Sequence, residues 1–516
     1  MENRKTKIVC SIGPSSTDDN VVRNLILAGM NVARLNFSHG SHDYHKDSIQ
    51  RVRRISKELG IPVAILLDTK GPEIRTGIVE NDGKVIINKG DSVMVTVDGC
   101  VTSAAQGQTP ARISISWKDA VIKIQGLLAS RSQSNNSQTD SASCGKVSGA
   151  FDSSGSIHIL VADGLLDLEV ISVSDGVINC KANNTAEIGS KKNVNLIGIH
   201  AGLPILSEQD KKDIEFGVKM DVDFIAASFV SFPHEVTEIK KYLDSFKSPI
   251  KVIAKIECAD GVENIKEIAK LADGVMVARG DLGVQLPVEQ IPIVQKYIIS
   301  VCRKAGKPVI TATQMLESMI VNPRPTRAEL TDVANAIFDG TDAVMLSGET
   351  TIGAYPVEAV KIMDKIACTA EQSDDFKKHM KSIRDECFSA DNFHDNIDII
   401  VSRSGAEISS KVNAKAIVTP TLSGNTARIL SVFRPDHPVL AMTPNERAIR
   451  VMQLYWGIYP HYAPIADESA SMIRNSIKIA SENGVEVSDK IVLVAGLPLH
   501  TPIMVNTVRI IKMGTI

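Results

Sequence analysis

Aromatic residues are scarce in this chain, at 4% of 516 positions. A surface that stacks on bases needs several of them, so single-stranded nucleic acid is a poor fit. Basic blocks are missing too, and the net charge is −3, so nucleic acid is not an expected partner. No run of about 18 apolar residues exists, so no membrane-spanning helix is expected. The opening MENRKTKIVCSIG lacks the apolar core of a signal peptide. The eight cysteines, at positions 10, 100, 144, 180, 258, 302, 368 and 387, form no CxxC pair. That spacing suits reduced thiols better than a disulfide framework or a zinc site, and a cytoplasmic location is expected. Neither a GxxxxGK[ST] loop nor an HRD/DFG set is present, which excludes the P-loop and protein-kinase routes to phosphoryl transfer.

What the chain does contain is rhythm. Hydrophobic residues make up 43% and charged residues 23%, as in globular proteins, and the length implies roughly two to four domains. Eight short apolar runs recur: 6–10, 31–35, 63–67, 223–228, 251–256, 274–278, 308–312 and 342–346. Stretches of helical length, such as VENIKEIAKLA, separate most of them. Strands alternating with helices predict parallel βαβ units, and eight of them predict a closed (β/α)8 TIM barrel over 1–71 and 204–384. An open doubly wound sheet is the alternative. The gap between the third and fourth runs reads differently, with short alternating pieces and Gly/Asp turns. It predicts a small β-rich lid domain inserted over 72–203, with a disordered Ser/Asn-rich loop near 126–156. From 385 to 516 a new set of strand-like runs, beginning with IDIIVSR, predicts a C-terminal α/β domain. Its TLSGNTA segment carries Ser and Gly just ahead of a helix, which suits either an anion or an ordinary N-cap.

Polar residues collect where the barrel strands end. Lys255 and Glu257 are two apart on one strand and share a face, and Asp281 follows the next strand. A lysine between two carboxylates suits a divalent cation and a phosphoryl group, although a structural ion pair is the plainer reading of each half alone. Arg34 and Arg75 could clamp phosphates. Asn36, Ser38, Asp68 and Thr69 offer only oxygen ligands, which suits a large, weakly hydrated cation. Thr311, Thr313 and Gln314 close the seventh strand, and Ser347, Gly348 and Glu349 the eighth. Convergence of this kind is what a catalytic barrel face requires, with phosphoryl transfer as the reaction class.

The strings ARLNFSHG, LLDTKGPEIRTG, ASFV, AKIE, VARGDLG, ATQMLESM, NPRPTRAE, DVANAI and MLSGET occur in one order along the chain. In these the chain resembles pyruvate kinase over essentially its whole length. The resemblance implies transfer of the phosphoryl group of phosphoenolpyruvate to ADP, giving pyruvate and ATP in glycolysis. It implies Lys255, Thr313 and Arg34 as catalytic residues, with Arg34, Lys255, Gly280, Asp281 and Thr313 on the substrate. Mg²⁺ (or Mn²⁺) would sit on Glu257 and Asp281, and K⁺ on Asn36, Ser38, Asp68 and Thr69, with Glu73 marking a K⁺-dependent member. Asn36, His39, Arg75 and Lys192 would face the nucleotide. The resemblance further implies a homotetramer with a regulatory C-terminal domain that binds a phosphorylated effector at Thr421, Ser423, Gly424 and Thr426. Departures fall in the lid, where Ala162 precedes Asp163 in place of an acid and Ile197 replaces a proline. They also fall in the effector region, at Leu422, Asn425 and a final loop without tryptophan or arginine. Two other readings stay open: an inactive sensor of phosphorylated metabolites, and another Mg²⁺-dependent, enolate-forming barrel enzyme.

Overall fold

The structure, a computed structural model, describes residues 4–134, 156–388, 396–497 and 505–515. Eight strands close a parallel barrel: β1 (Lys7–Ser11), β2 (Val32–Asn36), β3 (Ala64–Asp68), β4 (Phe224–Ala227), β5 (Lys251–Ile256), β6 (Gly274–Ala278), β7 (Val309–Ala312) and β8 (Ala343–Leu346). Each strand pairs with the next in sequence, and β8 returns to β1. The strands are apolar throughout because both faces are buried. Val9, Leu66, Phe224, Ile253, Met276 and Met345 fill the inside, while their neighbours Ile8, Leu67, Ile225, Val252 and Val277 pack under the helices. The helices start where the sequence caps them. Thr326 and Glu329 form a reciprocal capping box, which accounts for the PTRAE string.

The inserted segment is a closed β structure of its own. Seven strands run from Ile74–Arg75 to Ala111–Ser114, and a Thr76–Ile115 bridge joins the two ends. It is not all β: residues Ala120–Ser134 form a helix, so the part of the expected Ser/Asn-rich excursion from 126 to 134 is helical. The remainder, 135–155, lies outside the described residues. The C-terminal sheet has five strands, in the order Ile458–Tyr462, Val439–Thr443, Ala416–Pro420, Lys490–Ala495, Thr507–Lys512, with only the last antiparallel. The IDIIVSR run, expected as a strand, instead opens helix Ile397–Lys411, capped by Asn396.

This C-terminal unit packs under the N-terminal ends of the barrel strands. Arg434 pairs with Asp342, just before β8, at 2.7 Å, and both are buried. Arg450 holds Asp223, just before β4, at 2.8 Å, beside the barrel's own Arg53 at the same distance. Lys7, at the start of β1, donates to the Ile458 carbonyl at 2.6 Å. The opposite face, where chemistry occurs in such barrels, is left to the lid. Among the described residues no helix is long and apolar enough to cross a membrane.

Candidate active site

At the C-terminal face, strand order brings β2, β3, β4 and β5 side by side, and their last residues meet. Asn36 and Asp68 are register partners across β2 and β3. Lys255 Nζ lies 2.8 Å from Glu257 Oε1 and 3.1 Å from Asp68 Oδ1, and donates to Ser228 Oγ at 2.6 Å. The lysine therefore does sit between two carboxylates, but the second is Asp68 and not Asp281 as expected. The neighbours are set by strand order, which brings the ends of β3 and β4 to Lys255, whereas Asp281 lies in the first turn of helix Arg279–Gln285 that follows β6.

Arg34 Nε donates to the other oxygen of Asp68 at 2.6 Å, and its Nη1 to Ser11 Oγ at 2.9 Å. Burial opposes ionisation of Asp68, but Lys255 and Arg34 outweigh it and hold the carboxyl below its usual range. Burial likewise disfavours the Lys255 ammonium, yet Asp68 and Glu257 raise it above its ordinary value, so it stays charged. Glu257 is pushed up to about 7, mainly by burial, with Asp281 and Asp68 adding to the rise against the pull of Lys255. Its second oxygen accepts the Phe229 N–H at 2.6 Å. Phe229 reaches this position with a left-handed φ of 58°, strained for an aromatic residue.

Glu257 fits a divalent cation on this evidence. A buried carboxylate that repels Asp281 gains most when a cation settles between the two, and Mg²⁺ asks for only one or two carboxylates beside substrate oxygens. Among the described residues no group of three or more His, Cys, Asp or Glu side chains gathers as a metal cage. The oxygen-only ends of β2 and β3 fit a large, weakly hydrated monovalent ion. There the Thr69 carbonyl accepts from Ser228 Oγ at 2.7 Å, and Asn36 Oδ1 from the Ser38 N–H at 3.2 Å.

Thr313 and Gln314, just past β7, have φ of 68° and 53°. Left-handed geometry is rare for a β-branched residue and needs support. Arg279 supplies it: the buried guanidinium donates to the carbonyls of Thr313 (2.7 Å) and Gln314 (3.3 Å) and pairs with Asp332 at 2.7 Å. Thr313 Oγ1 accepts the Gly280 N–H at 2.8 Å, tying the loops after β6 and β7 together. Arg279→Leu is expected to let this turn relax. A displacement of about 1 Å can cost about 10²-fold in rate, so kcat should fall by that order while the circular dichroism spectrum is unchanged; an unaltered kcat would refute the role.

Residues expected at the nucleotide lie at the lid base and are less tightly placed. Glu73 holds Arg75 at 2.8 Å and Lys70 at 3.0 Å. Arg75 also donates to the Lys191 carbonyl at 2.9 Å. His39 and Lys192 are exposed, and the Lys192 backbone is fixed by Thr76. In the lid turn Ala162, Asp163 and Gly164 are all left-handed, with φ of 55°, 56° and 86°, and Asn193 Nδ2 donates to Asp163 at 3.3 Å. Ile197 continues the ladder opposite His158. A cleft between lid and barrel is lined by Glu73, Asp163, Asn193, Phe229 and Asp281. In the C-terminal domain Thr421 Oγ1 accepts the Gly424 N–H at 3.0 Å, while Ser423 and Leu422 are exposed. Residues 498–504 of the final loop lie outside the described residues.

The contributions of two residues escaped the sequence reading. Ser228 ends the fourth run, a strand end to which no role was assigned, although a barrel face draws on all eight. Arg279 lies in the VARGDLG string, but its hold on the carbonyls past β7 comes from the adjacency of β6 and β7, which local spacing does not show.

A closed eight-stranded barrel with a cation–carboxylate cluster at its C-terminal face and a lid over it defines a (β/α)8 enzyme. The model of the pyruvate kinase barrel domain matches residues 3–126 and 145–360, and that of the pyruvate kinase alpha/beta domain matches 400–511. Pyruvate kinases of Staphylococcus aureus strains MRSA252 and USA300 are each 43% identical over 514 residues, covering 99% of this chain and 81% of theirs. A crystal structure of a pyruvate kinase from Cryptosporidium parvum superposes with a TM-score of 0.86 at 37% identity, covering 99% of this chain and 96% of that one. The chain belongs to the pyruvate kinase family.

Proposed function

We propose that the protein transfers the phosphoryl group of phosphoenolpyruvate to ADP, forming pyruvate and ATP, as a glycolytic phosphotransferase. The observation that carries this reading is the buried Lys255 ammonium among Asp68, Glu257 and Ser228, at the mouth of a barrel whose family is known. Lys255 neutralises charge on the moving phosphoryl and on the enolate oxygen left behind, so its contribution grows toward the transition state. Arg34, braced by Ser11 and Asp68, grips the phosphate. Gly280 and Asp281 at a helix start face the substrate carboxylate, and Thr313 relays a proton to the enolate carbon through water. Asn36, His39, Arg75 and Lys192 bind the nucleotide, with Asp163 approaching from the lid. Glu257 and Asp281 would hold Mg²⁺ (or Mn²⁺), which when bound polarises the substrate oxygens; Asn36, Ser38, Asp68 and Thr69 would hold K⁺.

Homotetrameric assembly, a cytoplasmic location, the division at 1–71 with 204–384, 72–203 and 385–516, and an effector at Thr421, Ser423, Gly424 and Thr426 belong to the same proposal and rest on the family resemblance. A lactate dehydrogenase-coupled assay tests the activity. Pyruvate should appear only with both ADP and Mg²⁺ and faster with K⁺; pyruvate formed without ADP would overturn the assignment.

The raised Glu257 carboxyl has a pH consequence. Its folded pKa of about 7 exceeds the ordinary 4.5, so the protonated form is favoured in the metal-free fold. The stability it contributes is full below pH 4.5 and lost as pH rises through about 7. Mg²⁺ requires the ionised form, so binding opposes that loss. Apparent Mg²⁺ affinity should weaken about fivefold from pH 7 to pH 6 and level off above 8. Calorimetric Mg²⁺ titrations check it, and a flat profile across this range would refute it.

A further inference from the structure

A cavity of about 330 Å³ opens between the barrel and the C-terminal domain, away from the lid. Its walls come from barrel helices Ile265–Leu271 and Ile291–Lys304 and from C-terminal helix Asn425–Val432. Four cations line it, Lys270, Lys304, Lys307 and Arg428, against one acid, Asp398. Asp398 is already engaged by the Val505 N–H, and Lys270 pairs with Glu267 at 2.7 Å on the outer surface.

Lys307 and Arg428 are the informative pair. Lys307 Nζ donates to the carbonyls of Ala272 (2.6 Å) and Lys270 (3.2 Å), and Arg428 to the Gly306 carbonyl and Asn425 Oδ1. Every one of these acceptors is neutral, and neither cation has a carboxylate partner among the described residues. Capping the end of helix Ile265–Leu271 explains the two lysine contacts. It does not explain why an arginine from another domain is brought to the same cavity. Burial lowers the Lys307 pKa; Asp273 opposes that, while Arg428, Lys240 and Lys251 add to it. Half-buried cations left with neutral partners are stabilised by an anion.

We propose that this cavity binds a small phosphate monoester. The phosphate would lie on Lys307 and Arg428, and the carbon chain against Ile429 and Val432, in a volume at the lower end of the range for small-ligand sites. Its lining takes only Asn425 from the 421–426 segment, and three of its four cations belong to the barrel. It does not depend on the catalytic reading. A ligand bound there cross-links the two domains.

Pyridoxal 5′-phosphate tests this directly on the full chain. Its phosphate seeks paired cations, while its aldehyde condenses with a neutral lysine amine, releasing water and giving an imine that borohydride reduces to a stable adduct. Peptide mass spectrometry should place the fastest adduct on Lys307 or Lys304. Glycerol 3-phosphate at about ten times its Kd should slow labelling about tenfold, the fraction of sites then left free. Glycerol should not slow it. Arg428→Gln should slow labelling of Lys307 without altering labelling of exposed Lys478. Labelling no faster than at Lys478, or protection by glycerol and glycerol 3-phosphate alike, would overturn the proposal. Because the readout is a mapped adduct, it holds whether or not the enzyme assay succeeds.

Discussion

Lys255→Met is expected to lower kcat for pyruvate formation by at least about 10³-fold, the upper range for losing one preorganised charge at a reacting centre. The side chain is 11% exposed and touches Asp68, Glu257 and Ser228. Water cannot take over its charge in such a site. Its removal also has a structural cost. Asp68 keeps Arg34, but Glu257 loses the cation that favours its ionised form, so its pKa should climb above 7. The variant should fold, since Glu257 can neutralise by taking a proton, and its far-ultraviolet circular dichroism should match the parent. Lys255→Arg should not rescue it, because a planar fork cannot occupy the space of a compact ammonium held by three oxygens. A loss of less than about tenfold in kcat would remove Lys255 from the chemistry.

Arg434→Met is expected to destabilise the chain by about 3–5 kcal/mol, the cost of breaking a buried ion pair from one side. Arg434 and Asp342 are 2% and 7% exposed. The guanidinium also donates to the Gly340 carbonyl at 2.8 Å and lies 5.0 Å from the Trp456 ring centre. The second oxygen of Asp342 accepts the Val309 N–H at 3.0 Å, so the stranded carboxylate cannot turn away without opening the start of β7. The loss should appear as a lower urea midpoint. Arg434→Lys should fall between the two, keeping the charge without the fork. A midpoint equal to the parent's would show that this pair contributes nothing to holding the domains together.

Most of the barrel was legible because each strand is buried on both faces and reads as an unbroken apolar run. The same rule misled at IDIIVSR. Its β-branched residues suggest a strand, but Ser402, Gly405, Ala406 and Ser409 are the buried positions, a helical spacing of small residues. A Cβ on Gly405 would come within 2.5 Å of Val494, so the helix must lie this close to the sheet, and only the small side chains reveal it. In the site, side chains on one strand were readable: Lys255 and Glu257 share a face and touch. Neighbours across the barrel were not. Asp68 and Ser228 reach Lys255 through strand order, a property of the closed cylinder and not of any local spacing. The left-handed turns at Phe229 and Thr313 carry no glycine to announce them.

The arginines that close on Asp223 and the hydroxyl of Ser228 that meets Lys255 stand at opposite tips of the same strand, β4. The five steps of extended chain from Asp223 to Ser228 make a strut of about 17 Å, too short to buckle. The underside of the cylinder and its reactive mouth are thus mounted on one spar, and whatever tilts the lower unit bears on the serine above.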